Sequence, residues 1–141
     1  MKKTIVDTII GIITVIGFSL AASVLVGLGF GLFRLVFSGD IDSVLHLTAE
    51  ARFWSGAQTG ASIGGIMGAS SALGKMAERA TVARLLSGLL AGSIIGSCLA
   101  QLFFVSVEAG LLLSIIGAFV GAGLGIAMKK TTPEQTRNQS E

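Results

Sequence analysis

Ile9 to Phe33 reads IIGIITVIGFSLAASVLVGLGFGLF, 25 residues without one charged side chain. As an α-helix the stretch is about 37 Å long at ~1.5 Å per residue. The hydrocarbon layer of a bilayer is about 30 Å thick, so the segment is long enough to cross with tilt or overhang. A cleaved signal peptide is the competing reading. Met1-Lys2-Lys3-Thr4 has the basic start, and Leu20-Ala21-Ala22 has the small residues of a cleavage site. Asp7 interrupts the early segment and apolar sequence continues past Ala22 to Phe37, which favours a retained helix.

The rest of the chain fits the same solvent. Of 141 residues 52% are hydrophobic and only 13% are charged, and the mean hydropathy is +0.84. Soluble domains carry about a quarter charged residues. A protein this small has too few polar side chains here to cover a wet exterior, whereas lipid solvates apolar ones. Further apolar stretches follow at residues 54–74, 85–105 and 111–128. The sequence therefore predicts an all-α membrane protein, a four-transmembrane-helix bundle over residues 1–130 with spans at about 9–33, 54–74, 85–105 and 111–128. Residues 38–53 read as an interfacial segment, with Asp42 or Ser43 capping a short helix and Phe53 and Trp54 in the aromatic belt. Residues 131–141 contain Pro133 and are otherwise polar, and are expected to form a disordered cytoplasmic tail.

Orientation follows from the basic residues. With the N-terminus inside, the inner segments hold Lys2, Lys3, Lys75, Arg79, Arg84, Lys129, Lys130 and Arg137, and the outer ones hold Arg34 and Arg52. That asymmetry predicts cytoplasmic termini in a bacterial inner (plasma) membrane.

Small residues recur every fourth position in all four spans. They are Ser19, Ser23, Gly27 and Gly31, then Gly56, Gly60, Gly64 and Gly68, then Gly88, Gly92 and Gly96, then Gly117, Gly121 and Gly125. A spacing of four stacks them on one helix face. In hydrocarbon there is no hydrophobic push between helices, so association rests on close packing and interhelical hydrogen bonds. A ridge without side chains lets backbones approach, as in glycine-zipper packing. The second span also carries Gln58, Thr59 and Ser62 and a second small stripe, Ala57, Ala61, Gly65 and Ala69. It is expected at the centre of the bundle, shielded by the other three spans. The competing expectation is that Gln58, Thr59 and Ser62, with Gln101 of the third span, line a wet path. Ser93-Ile94-Ile95-Gly96 recurs as Ser114-Ile115-Ile116-Gly117, an echo that biased composition explains without duplication.

The plan of four glycine-striped spans resembles, in its packing, the mitochondrial inner-membrane protein translocases and the proteolipid subunits of rotary ATPases. The basic connector carries no signature of the first family, and the second needs a carboxylate at mid-helix. No site is carried over from either.

Few residues suggest chemistry. Glu108 would be an ion or proton site if it lay within the bilayer, but the threading puts it in a turn between Ser106 and Gly110. His46 is the sole histidine, Cys98 the sole cysteine, and neither sits in a metal-binding spacing. No glycine-rich stretch is followed by the Lys-Ser/Thr pair of a phosphate loop. No catalytic residue, metal or cofactor is expected, the net charge of +2 gives no argument for nucleic acid, and the chain reads as a non-enzyme. The expected partners are the lipid bilayer and either further copies (a homo-oligomer) or a larger membrane complex. The leading expectation is a structural or accessory subunit, or a self-assembling scaffold, docking through stripes left over from the bundle. The alternatives are a small channel, holin-like pore or ion-coupled transporter lined by the second span, and an immunity or exclusion protein that recognises its target through residues 38–52.

Overall fold

The computed structural model describes residues 1–37, 51–103 and 106–128. Among them the chain forms four helices: α1 (Lys2–Phe37), α2 (Ala51–Gly74), α3 (Thr81–Phe103) and α4 (Val107–Ala127). The interfacial segment expected at 38–53 falls, up to residue 50, outside the described residues, as do His46 and the tail. Three helices, α1, α3 and α4, are long and apolar enough to cross a membrane, and the chain is an integral membrane protein. α2 is equally long but less apolar, because Arg52, Ser55, Gln58, Thr59, Ser62, Ser70 and Ser71 dilute its aliphatics.

Several boundaries differ from the sequence expectation. α1 starts at Lys2, not near Ile9, so it runs 36 residues, about 54 Å at ~1.5 Å per residue. Hydropathy marks where a chain is apolar, not where it is helical, and Lys2, Lys3 and Thr4 are compatible with a helix. α2 begins at Ala51, which puts Phe53 on the helix instead of in an interfacial belt. Its ring is only 5% exposed and fills the gap beside Gly31, where a β-carbon would lie 2.7 Å from it. Trp54, its edge-on neighbour at 5.5 Å, is exposed. Residues 107–110, expected as a turn, form the first turn of α4. Ser106 caps it, its hydroxyl accepting from the Ala109 N–H at 3.3 Å, which satisfies one of the donors a helix start leaves open.

The four helices pack as two antiparallel hairpins. α1 runs against α2, and a β-carbon on Gly56 would lie 2.9 Å from the Phe30 carbonyl oxygen, on Gly60 2.5 Å from that of Val26, and on Gly68 2.5 Å from that of Phe18. α3 runs against α4 still more closely. β-Carbons on Gly88, Gly92 and Gly96 would collide with the carbonyl oxygens of Gly121, Gly117 and Leu113, and one on Gly125 with that of Arg84. These positions tolerate no side chain, and their backbones come within reach of Cα–H···O contacts worth ~0.5–1 kcal/mol each.

The hairpins join through α3, which packs on α1, α2 and α4, while α4 packs on α3 alone. This corrects the expectation for the second span: α2 is the most buried helix, but the hub is α3, and α4 does not shield α2. The α2–α3 crossing is close at Gly65, where a β-carbon would lie 2.8 Å from the Cys98 sulfur. Val15, Ala69, Ala72, Met76 and Ala91 form the apolar core where α1, α2 and α3 meet. Beyond it, the connector ties down one end of the bundle. Lys75 sits 4.3 Å over the Phe18 ring, Arg79 donates to the Asp7 carbonyl at 3.4 Å, and Arg84 donates to the Met128 carbonyl at the end of α4. The outward surface is aliphatic and aromatic, with Phe119 77% exposed and Leu25 73% exposed, as a lipid-facing surface requires.

Candidate functional site

At the opposite end the hairpins part. α2 and α4 diverge on either side of α3 and leave a half-open cavity of about 550 Å³. α2 contributes Ser55, Gln58, Thr59 and Ser62; α3 contributes Ser97, Ala100 and Gln101; α4 and its cap contribute Ser106, Val107, Gly110, Leu111 and Ser114. Eight of these twelve residues bear a hydroxyl or a carboxamide, and none is ionisable. The deepest of them on α2, Ser62, lies 11 residues from the helix start, about 16 Å at ~1.5 Å per residue, so the cavity reaches roughly half the depth of a ~30 Å hydrocarbon layer.

Some of this polarity is spent internally. The Ser62 hydroxyl, 3% exposed, lies 3.1 Å from the Gln101 Oε1, to which it donates, and 3.1 Å from the Gln58 carbonyl on its own helix. Thr59 donates to the Ser55 carbonyl at 3.0 Å. Ser93 and Ser114 share a hydrogen bond of 2.7 Å across the α3–α4 seam, beside the cavity wall. Back-bonding to the preceding turn lets a hydroxyl sit in an apolar helix without an outside partner. The Gln58 carboxamide and the Gln101 NH₂ group make no hydrogen bond among the described residues. The charges stay at the rim. Arg34, at the end of α1, donates to the Ser55 hydroxyl at 2.6 Å, and Glu108 is exposed in the first turn of α4, where an acidic residue suits the helix dipole.

The four residues expected to line a path, Gln58, Thr59, Ser62 and Gln101, thus line one cavity. Ser97, Ser106 and Ser114 complete it and do not stand out in the sequence as path-lining. Ser114 has a signal there: the Ser-Ile-Ile-Gly echo puts Ser93 and Ser114 at matching distances from Gly96 and Gly117, and antiparallel pairing of α3 with α4 brings them together. Glu108 stands apart from any other described carboxylate or imidazole, and no group of three or more His, Cys, Asp or Glu residues comes together among the described residues.

The striped residues lie in the seams inside the chain. Gly27, Gly31, Ser19 and Ser23 of α1 meet Gly56, Gly60, Gly64 and Gly68 of α2, and the glycines of α3 meet Gly117, Gly121 and Gly125 of α4. Among the described residues no stripe is left over for a second molecule, contrary to the expectation that leftover stripes dock partners. Two smaller cavities, about 420 Å³ beside Trp54 and about 270 Å³ along the α3–α4 seam, have almost wholly apolar walls and ask for nothing but lipid chains. Comparison with protein-family models, with curated proteins and with solved structures gives no match.

Proposed function

We propose that this chain is a non-enzymatic membrane protein that crosses the bilayer four times and serves as an accessory subunit of a larger membrane assembly. The observation that carries this reading is the cavity between α2 and α4: an uncharged, hydroxyl- and amide-lined recess at membrane depth, open on one side, in a chain whose remaining outer surface suits lipid. Polar groups exposed to hydrocarbon are costly unless something satisfies them. A rigid two-hairpin scaffold with one such recess has the form of a docking piece. α2 is read as the fourth span because it packs antiparallel along α1 and so shares its depth.

The basic residues support cytoplasmic termini in a bacterial inner membrane. A C-terminal reporter that is active only in the cytoplasm tests that orientation. For the subunit reading, the full-length chain is purified from its native membranes in mild detergent. A membrane protein that travels with it in fixed proportion supports the reading. Migration as a lone monomer under conditions that preserve other membrane complexes contradicts it.

The transport reading has one observation in its favour, the convergence of Gln58, Thr59, Ser62 and Gln101 on one cavity. Against it, the recess ends above the apolar core around Val15, Ala69 and Ala91, so a continuous path needs that core to open. Cysteine substitution at Thr59 and at Ala72, probed from both sides with a water-soluble thiol reagent, separates the two. Labelling at Thr59 alone fits a blind recess, and labelling at both fits a path.

A further inference from the structure

We infer that the cavity between α2 and α4 seats a transmembrane helix of a different protein, one that presents uncharged hydrogen-bonding side chains, carboxamide or hydroxyl, to Gln58 and Gln101. The inference rests on the subunit reading and names the partner's chemistry.

Three candidate occupants fail on the residues present. An acyl chain would leave the Gln58 carboxamide and the Gln101 NH₂ group unmet. A phosphate headgroup finds no cation inside, since Arg34 is at the rim and already engaged with Ser55. A second copy in the same orientation offers nothing to insert. Among the described residues, every exposed hydroxyl or carboxamide side chain in this half of the bundle already lines the cavity, and two concave faces set against each other leave the space between them unfilled. A convex helix with Asn, Gln, Ser or Thr on one face meets each demand. It enters between α2 and α4, which do not pack on each other, and its neutral side chains supply donors and acceptors without burying an unpaired charge. Interhelical bonds of this kind are individually modest, on the order of 0.6 kcal/mol, so the seat gives orientation and register as much as affinity.

The test uses a photo-crosslinking amino acid in the full-length chain in its native membranes, at Thr59 and at Leu111 on opposite walls, with Phe119 on the lipid face as control. The expected result is one discrete adduct from both walls and none from Phe119. Its attachment point should map to a transmembrane helix with uncharged polar residues on the attached face. Gln58→Leu combined with Gln101→Leu should lower the adduct yield by roughly 5–10-fold, the equivalent of two such bonds. A disulfide formed within one chain by Ser93→Cys and Ser114→Cys verifies that each variant is folded. An adduct of two copies of this chain overturns the inference, as does attachment to a face bearing acidic or basic side chains. A partner that co-purifies but crosslinks from neither wall overturns the seat and leaves the subunit reading standing. No co-purifying protein and no adduct overturns both.

Discussion

Gly92 and Gly117 face each other across the α3–α4 seam so closely that neither has room for a β-carbon: one built on either residue would run into the other's carbonyl oxygen. Gly88 and Gly121 repeat the relation one turn away. The two helices therefore meet backbone to backbone. Dispersion and Cα–H···O attraction along that seam stand in for the hydrophobic force that lipid does not supply.

A set of glycine substitutions follows from that geometry. Gly92→Ala should push α3 and α4 apart and destabilise the protein by about 1–3 kcal/mol, the usual cost of overpacking. Gly29→Ala and Gly123→Ala should be neutral or slightly stabilising, because nothing lies within 4 Å of a β-carbon at either site and alanine is the better helix former by up to ~1 kcal/mol. Thermal unfolding in detergent, followed by helical circular dichroism, checks the contrast. Equal effects at the three positions would remove the seam from the account.

The Ser62–Gln101 hydrogen bond joins the two hairpins at the floor of the recess. A double-mutant cycle with Ser62→Ala and Gln101→Leu should give a coupling of about 0.6 kcal/mol and no more than ~1.7. Additive single effects in steric-trapping or denaturant measurements would mean that the bond does not hold in the folded protein.

The start of α4 rests on Ser106. Ser106→Ala should cost about 1 kcal/mol of local stability, read as faster amide exchange at Val107 to Gly110, with the α1–α2 hairpin unchanged. Ser106→Asp should restore protection, since aspartate caps as well as serine and favours the helix N-terminus. Unchanged exchange in Ser106→Ala would refute the cap.

Much of this fold is legible in the sequence, for physical reasons that also mark where legibility ends. Long uncharged runs identify α1, α3 and α4, because only lipid gives them a solvent. The spacing of Gly60, Gly64 and Gly68, or of Gly88, Gly92 and Gly96, defines a face, because helical periodicity is local. Which face meets which is not local. Phe53 reads as an interfacial aromatic until the gap beside Gly31 on another helix is known. α2 reads as central because of its two small stripes, yet α3 is the hub, since the neighbours of α4 depend on tertiary register. The recess is half visible in the sequence: Gln58 and Gln101 stand out as amides in apolar helices, whereas Ser97 and Ser106 resemble any other serines until α2 and α4 are seen to diverge.

The claim on which the rest depends is that α3 and α4 pair inside one chain, and cysteine crosslinking measures it most directly. In a Cys98→Ala background, Ser93→Cys with Ser114→Cys in intact membranes should close a disulfide within a single polypeptide under mild oxidation, because the two serine hydroxyl oxygens lie 2.7 Å apart. The product should migrate as a monomer whose fragments stay joined after cleavage between the helices. A disulfide-linked dimer, or thiols that remain unpaired, would contradict the account.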